Sequence, residues 1–239
     1  MIKLFDYYIS GHDTDFFRYV SPTSYLKIAE SASFAVIEGA GLEVQRMIDE
    51  MESTWMTASA HLEICEDIYS VGNIQVYGGP LKINGVLLTV EVRMFRDRKL
   101  IARCDVNTMA VNYKTRKVIR PTEILDHFHL PYEQGAGAMA RIILPEDMKL
   151  ADVISVRYSD CDHNQHLRAV EYTDFVCDVA GYWSGRKRKK ARHLYIEYLG
   201  ECKVGTSLYL YRGEDAGGIY VRGAHADGRD AFKAYLITE

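Results

Sequence analysis

The chain contains no apolar run approaching the roughly 20 residues that span a bilayer. Met1-Ile-Lys-Leu-Phe-Asp6 has no signal-peptide layout. A basic excess is also missing. Its 29 Lys and Arg stand against 33 Asp and Glu, a net charge of −4 that gives no overall attraction to nucleic acid or membranes. Cysteine is sparse and without paired spacing: Cys65, Cys104, Cys161, Cys177 and Cys202 are odd in number. With no signal sequence, that pattern fits a reducing, cytoplasmic setting. Proline is rare at 5 in 239 residues, and Pro121, Pro131 and Pro145 all fall in one segment. What remains is an ordinary globular composition, 48% apolar and 26% charged, long enough for one large domain or two of usual size. The 17 tyrosines suit antiparallel strands.

Leu4–Ser10 reads as a strand and residues 11–15 as a turn. Ser21 and Pro22 have the cap and first-turn chemistry of a helix start. Tyr25–Ala40 is apolar on nearly every face, which predicts a buried helix closed by Gly39 and Gly41. A further helical stretch runs to about Glu52. Strands follow over residues 54–68, 71–77, 86–96 and 99–111, with Asp97-Arg98 as a hairpin turn. Residues 114–150 change character and read as a connection. The order then repeats: strand 153–158, apolar helix 170–183, and strands 192–198, 207–212, 218–224 and 231–238.

The repeat is visible residue by residue. Asp15 and Tyr25 recur as Asp162 and Tyr172, both displaced by 147 positions (162 − 15 and 172 − 25). Each half is an α+β unit in which one antiparallel sheet can wrap a long apolar helix. The halves differ two and four residues after the shared aspartate. The first has Phe17 and Tyr19, the second Asn164 and His166. Chemistry is therefore expected only in the second half.

Asp162, Asn164 and His166 have the types needed for hydrolysis: a base near neutral pH, an amide to position a water or carbonyl, and a carboxylate to orient them. Glu197-Tyr-Leu-Gly-Glu201-Cys202 adds a carboxylate and a thiol at a strand end. Other readings compete. Asp160, Asp162, Asn164 and Glu171 match EF-hand loop positions, but Gln165 stands where the turn needs glycine. Cys161, His163 and His166 offer mixed metal ligands without a second ligand pair. Asp160 alone reads as a capping residue. Cys202 with His166 and Asn164 completes a Cys-His-Asn set, yet cysteine is commonly a buried apolar residue. Gly135-Ala-Gly-Ala-Met-Ala140 resembles a dinucleotide fingerprint but has no strand before it.

Asp162-x-Asn164-x-His166, a tyrosine six residues on, and Glu197-Tyr-x-x-Glu201-Cys202 together resemble the acyl-ACP thioesterase family of plants and bacteria. The chain departs from the plant pattern just after the histidine, with Leu167-Arg-Ala in place of Val-Asn-Asn. The resemblance implies two tandem hotdog domains: residues 1–130, non-catalytic and holding the acyl chain, and residues 151–239, catalytic, joined by residues 131–150. It implies hydrolysis of fatty acyl-ACP at Asp162, Asn164, His166 and Glu201, with either a water or Cys202 as nucleophile, and with neither metal nor organic cofactor. An acyl-CoA thioesterase of hotdog fold and a non-catalytic acyl-binding module are the alternatives. Residues 32–37 and 55–61 are candidates for the acyl pocket. The basic run Arg186, Lys187, Arg188, Lys189, Lys190 is expected to meet the acidic acyl carrier protein. No nucleic acid or membrane partner is implied. Two hotdog units in one chain allow a monomer, and exposed sheet edges allow a homodimer.

Overall fold

The computed structural model describes residues 1–69, 71–135, 141–162, 165–184 and 187–239. The first half contains β1 (Ile2–Ile9), α1 (Pro22–Gly39), α2 (Val44–Met51), β2 (Ser53–Ile64) and β3 (Gly72–Gly78). It continues through β4 (Lys82–Asn84), β5 (Leu87–Arg96), β6 (Lys99–Asn112), β7 (Val118–Ile119), α3 (Pro121–His127) and β8 (Glu133–Gln134). The second half contains β9 (Lys149–Ser155), α4 (Glu171–Val179), β10 (Trp183–Ser184) and β11 (Lys187–Arg188). It ends in β12 (Ala191–Tyr198), β13 (Ser207–Glu214), β14 (Ile219–Ala224) and β15 (Asp230–Thr238).

One sheet runs through both halves in the order β1-β3-β5-β6-β2-β12-β15-β14-β13-β9. With the short strands β4, β10 and β11 set aside, the halves read inward from each edge have the same connectivity: the first strand, then the second, third and fourth strands after the helix, and last the first strand after the helix. This is the tandem hotdog architecture that the family resemblance implied, built on the two like halves of the repeat. The halves join where β2 and β12 pair antiparallel, with His61 opposite Tyr195 and Ala60 opposite Ile196. A central joint of hydrogen-bonded strands leaves neither half with an open edge there.

The sheet wraps α1. Tyr25, Leu26, Ile28, Ala29, Ala32 and Ile37 are all at most 2% exposed, but Lys27, Ser31, Ala35 and Glu38 form an exposed stripe, so the helix is buried on one side and not on nearly every face as its apolar run suggested. Ser21 caps the helix, its hydroxyl accepting from the Ser24 N–H at 3.1 Å, with Pro22 in the first turn. Asp97 and Arg98 take φ of 51° and 65°, the two positive values of a tight hairpin turn between β5 and β6.

The second helix is shorter than its apolar run suggested. It spans nine residues, because Gly181 at φ 60° turns the chain and Trp183 already belongs to β10. Helix α3 and the short strands β4, β7 and β8 lie in segments where no element was expected. They are too short to show a period. Among the described residues, no helix is long and apolar enough to cross a membrane.

Candidate active site

The turn after β9 is built on two aspartates. Buried Asp160 accepts from the Arg157 backbone N–H at 2.8 Å and from its Nε at 3.1 Å. Its role is structural: it closes the turn. Asp162 then folds the next turn. Its backbone N–H donates to the His166 carbonyl at 2.8 Å, and its Oδ1 accepts from the His166 N–H at 3.1 Å. Gln165 takes φ 65° at the apex, a conformation glycine would reach with less strain. Glu171, a residue of the EF-hand pattern, pairs instead with Arg168, whose Nε donates to it at 2.9 Å.

A second segment crosses this turn. The Leu167 N–H donates to the Cys202 carbonyl at 2.7 Å, and His166 bridges to Lys203. That crossing brings His166 Nε2 to 3.4 Å from Glu201 Oε2. The two side chains, 22% and 29% exposed, open onto a cavity of about 1700 Å³. The other Glu201 oxygen accepts from the Arg116 guanidinium. Arg116 comes from the turn between β6 and β7, where Asn112 Oδ1 accepts from the Lys114 and Thr115 N–H groups. The carboxylate is thus held from both halves of the molecule.

Cys202 follows Glu201 and points the other way, as successive residues of an extended segment do. It is 0% exposed, with Sγ 3.8 Å from the Gly200 carbonyl and 4.0 Å from His225 Nε2. Burial pushes its thiol pKa up, the opposite of what an activated nucleophile needs. Asn164, and His163 of the metal reading, lie outside the described residues. Among the described residues, no group of three or more His, Cys, Asp or Glu is placed to hold a metal ion.

The cavity runs between the halves. Asp162, His166, Leu167 and Glu201 line one wall; Glu30, Phe34, Trp55 and Thr57 line the other. Phe34 and Trp55–Ala58, from the segments expected to hold an acyl chain, therefore face it. Ala32, Ile37 and Ala60 are instead packed in the core, and His61 lies against Tyr195. Glu30 and Arg116 were missed by the sequence reading. Glu30 had a signal, a lone carboxylate in an apolar helix. Arg116 had none, because only the fold brings its turn to Glu201.

The first half carries the same turn without a histidine–glutamate pair. Asp15 N–H donates to the Tyr19 carbonyl at 2.7 Å, and Asp15 Oδ1 accepts from the Phe17 and Tyr19 N–H groups. Val20 N–H donates to the Ile68 carbonyl at 3.0 Å, as Leu167 does to Cys202. Tyr19 thus occupies the place of His166, and Asp67 that of Glu201. Arg188 fills this copy. Its Nε lies 2.5 Å from Asp15 Oδ2, its Nη1 3.2 Å from Asp67 Oδ2, and its guanidinium 4.4 Å from the Tyr19 ring centre. At 7% side-chain exposure, Arg188 is not part of any docking surface, contrary to the expectation for the basic run. Lys189 donates to the Ala180 carbonyl and Lys190 is exposed. Arg186 and the Lys187 side chain lie outside the described residues.

Comparison with known families decides the relationship. Residues 10–130 match the thioesterase-like superfamily model. The chain belongs to the thioesterase-like superfamily. Residues 145–223 match the model of the acyl-ACP thioesterase C-terminal domain, which bears out the resemblance carried by the paired motifs. An acyl-ACP thioesterase from Bacteroides thetaiotaomicron superposes with a TM-score of 0.80 at 18% identity, covering 98% of this chain and 97% of that one. The 12:0-ACP thioesterase from Umbellularia californica gives a TM-score of 0.78 at 15% identity, covering 98% and 96%. At these identities the superpositions establish the fold this superfamily member shares with them. No curated protein matches at the level of sequence.

Proposed function

We propose that the chain hydrolyses fatty acyl-ACP to free fatty acid and acyl carrier protein, ending chain elongation. The observation that carries this reading is the His166–Glu201 pair at 3.4 Å, opening onto a cavity of about 1700 Å³, a volume that can take an acyl chain. The match of the second half to the acyl-ACP thioesterase C-terminal domain supports the carrier protein over coenzyme A.

In this mechanism Glu201 accepts a proton from water while the water oxygen attacks the thioester carbonyl carbon. Arg116 fixes the carboxylate for that transfer. Asn164 positions the water or the carbonyl, and Asp162 holds the turn that carries both. The developing oxyanion is received by a backbone N–H in the first turn of α4, where Val170 and Tyr172 line the cavity. The carbon–sulfur bond then breaks, and the pantetheine thiolate takes a proton through His166. Cys202 takes no part, since its thiol faces the core. Residues 1–130 supply the acyl pocket and residues 151–239 the catalytic groups.

The test is kcat/KM on matched acyl-ACP and acyl-CoA, with release of free fatty acid measured. A preference for acyl-ACP is expected. Equal or better turnover of acyl-CoA would move the assignment to an acyl-CoA thioesterase.

A further inference from the structure

Among the polar groups of the cavity that hydrolysis does not use are Glu30 and Tyr198. Glu30 stands on α1 among core residues Ile28, Ala29 and Ala32. Its Oε1 accepts a hydrogen bond from Thr57 Oγ1 at 2.7 Å, and it lines the same cavity as His166 and Glu201. Burial raises its carboxyl pKa, and the charge of Asp162 adds in the same direction. Asp162 of the turn that carries His166 lines this cavity too. Tyr198, on β12 of the other half, also lines the cavity. Its hydroxyl is buried and has no hydrogen-bond partner among the described residues. The pairing of Glu197 with Ser59 sets Tyr198 beside the end of β2 that carries Thr57, the hydrogen-bond partner of Glu30.

A wall built only for methylene groups has no use for this pair. An unsubstituted chain leaves the Tyr198 hydroxyl unsatisfied, which buried polar groups rarely tolerate. A hydroxyl on the chain close to the thioester would donate to Glu30 and accept from Tyr198. We propose that Glu30 and Tyr198 form a subsite for a hydroxyl-bearing acyl chain, so that β-hydroxyacyl thioesters are preferred over saturated chains of equal length. The subsite rests on the thioesterase reading and names its substrate class. A reaction that reduces a β-oxoacyl thioester, or one that hydrates an α,β-unsaturated thioester, must then supply the substrate, and the product is a free β-hydroxy acid.

The test compares kcat/KM for matched β-hydroxyacyl and saturated chains on the same carrier protein. The pantetheine arm is common to both, so the ratio isolates the acyl substituent. The wild type is expected to favour the hydroxylated chain about tenfold or more, because a chain without the hydroxyl leaves its buried partners unpaired. Tyr198→Phe, which removes one oxygen and keeps the ring, should bring the ratio close to one. Glu30→Leu should do the same. A wild-type ratio near one, or a ratio untouched in both variants, overturns the subsite and leaves thioester hydrolysis standing. No release from either chain overturns both.

Discussion

At the scale of single residues, the deciding contrast is between neighbours. Glu201 opens to the cavity between His166 and Arg116, whereas Cys202 is sealed beneath the turn. A water mechanism therefore predicts opposite outcomes for the two. Glu201→Gln should lower kcat by about 10²–10⁴-fold, the usual worth of a positioned acid or base, while thermal unfolding stays close to wild type. Cys202→Ala should keep most of the turnover. Near-complete loss in Cys202→Ala, with intact folding, would make the thiol the nucleophile. Type and spacing were enough to single out Asp162, His166 and Glu201, because their motif is short and polar on an apolar background. The facing direction of Cys202 was not legible, since a one-residue shift in an extended segment reverses a side chain.

Elements set where these residues meet. The two copies of the aspartate turn fold with the same hydrogen bonds, so the turn is a property of the strand-to-helix junction and the His166–Glu201 pair is an addition to it. In the first copy Arg188 neutralises Asp15 and Asp67. Removing one partner of a buried charge network costs about 3–5 kcal/mol, so Arg188→Met should lower the melting temperature by several degrees. A melting temperature equal to wild type would show that the cluster is dispensable. The strand joint makes a separate prediction. His61 Nε2 lies 3.3 Å from His193 Nδ1 across β2 and β12. Burial first, and the His193 charge second, hold the His61 imidazole down at about 4. The unfolded chain protonates near pH 6.5. Below that pH the unfolded state binds more protons, so stability falls as pH drops from about 6.5 to about 4. Urea unfolding across this range should show the slope, and His61→Phe should flatten it. A slope unchanged by His61→Phe would assign it to other groups. The pairing of β2 with β12 could not be seen in the sequence, because an alternating strand does not name its neighbour.

For the whole molecule, the internal repeat displaced by 147 residues was the most informative feature of the sequence. It predicted two like halves, and the sheet order confirms them strand by strand. The cavity between the halves was not legible, since its walls come from residues far apart in the chain: Glu30 and Thr57 on one side, His166 and Glu201 on the other. The basic run was overread for the same reason. Lys190 is exposed, but Arg188 turns inward to charges contributed by the first half. Lys190→Glu should raise KM for acyl-ACP and leave turnover of a short soluble acyl thioester alone. Equal effects on both substrates would remove this face from carrier recognition.

Release of free fatty acid from an acyl-ACP panel of varied chain length, by wild type and by His166→Ala, bears most directly on the claim that the His166–Glu201 pair is a hydrolytic centre. The wild type should release fatty acid and carrier thiol in equal amounts, and His166→Ala should be slower by about 10²-fold or more while remaining folded. No release from any chain by the wild type, or a folded His166→Ala as active as wild type, would contradict it.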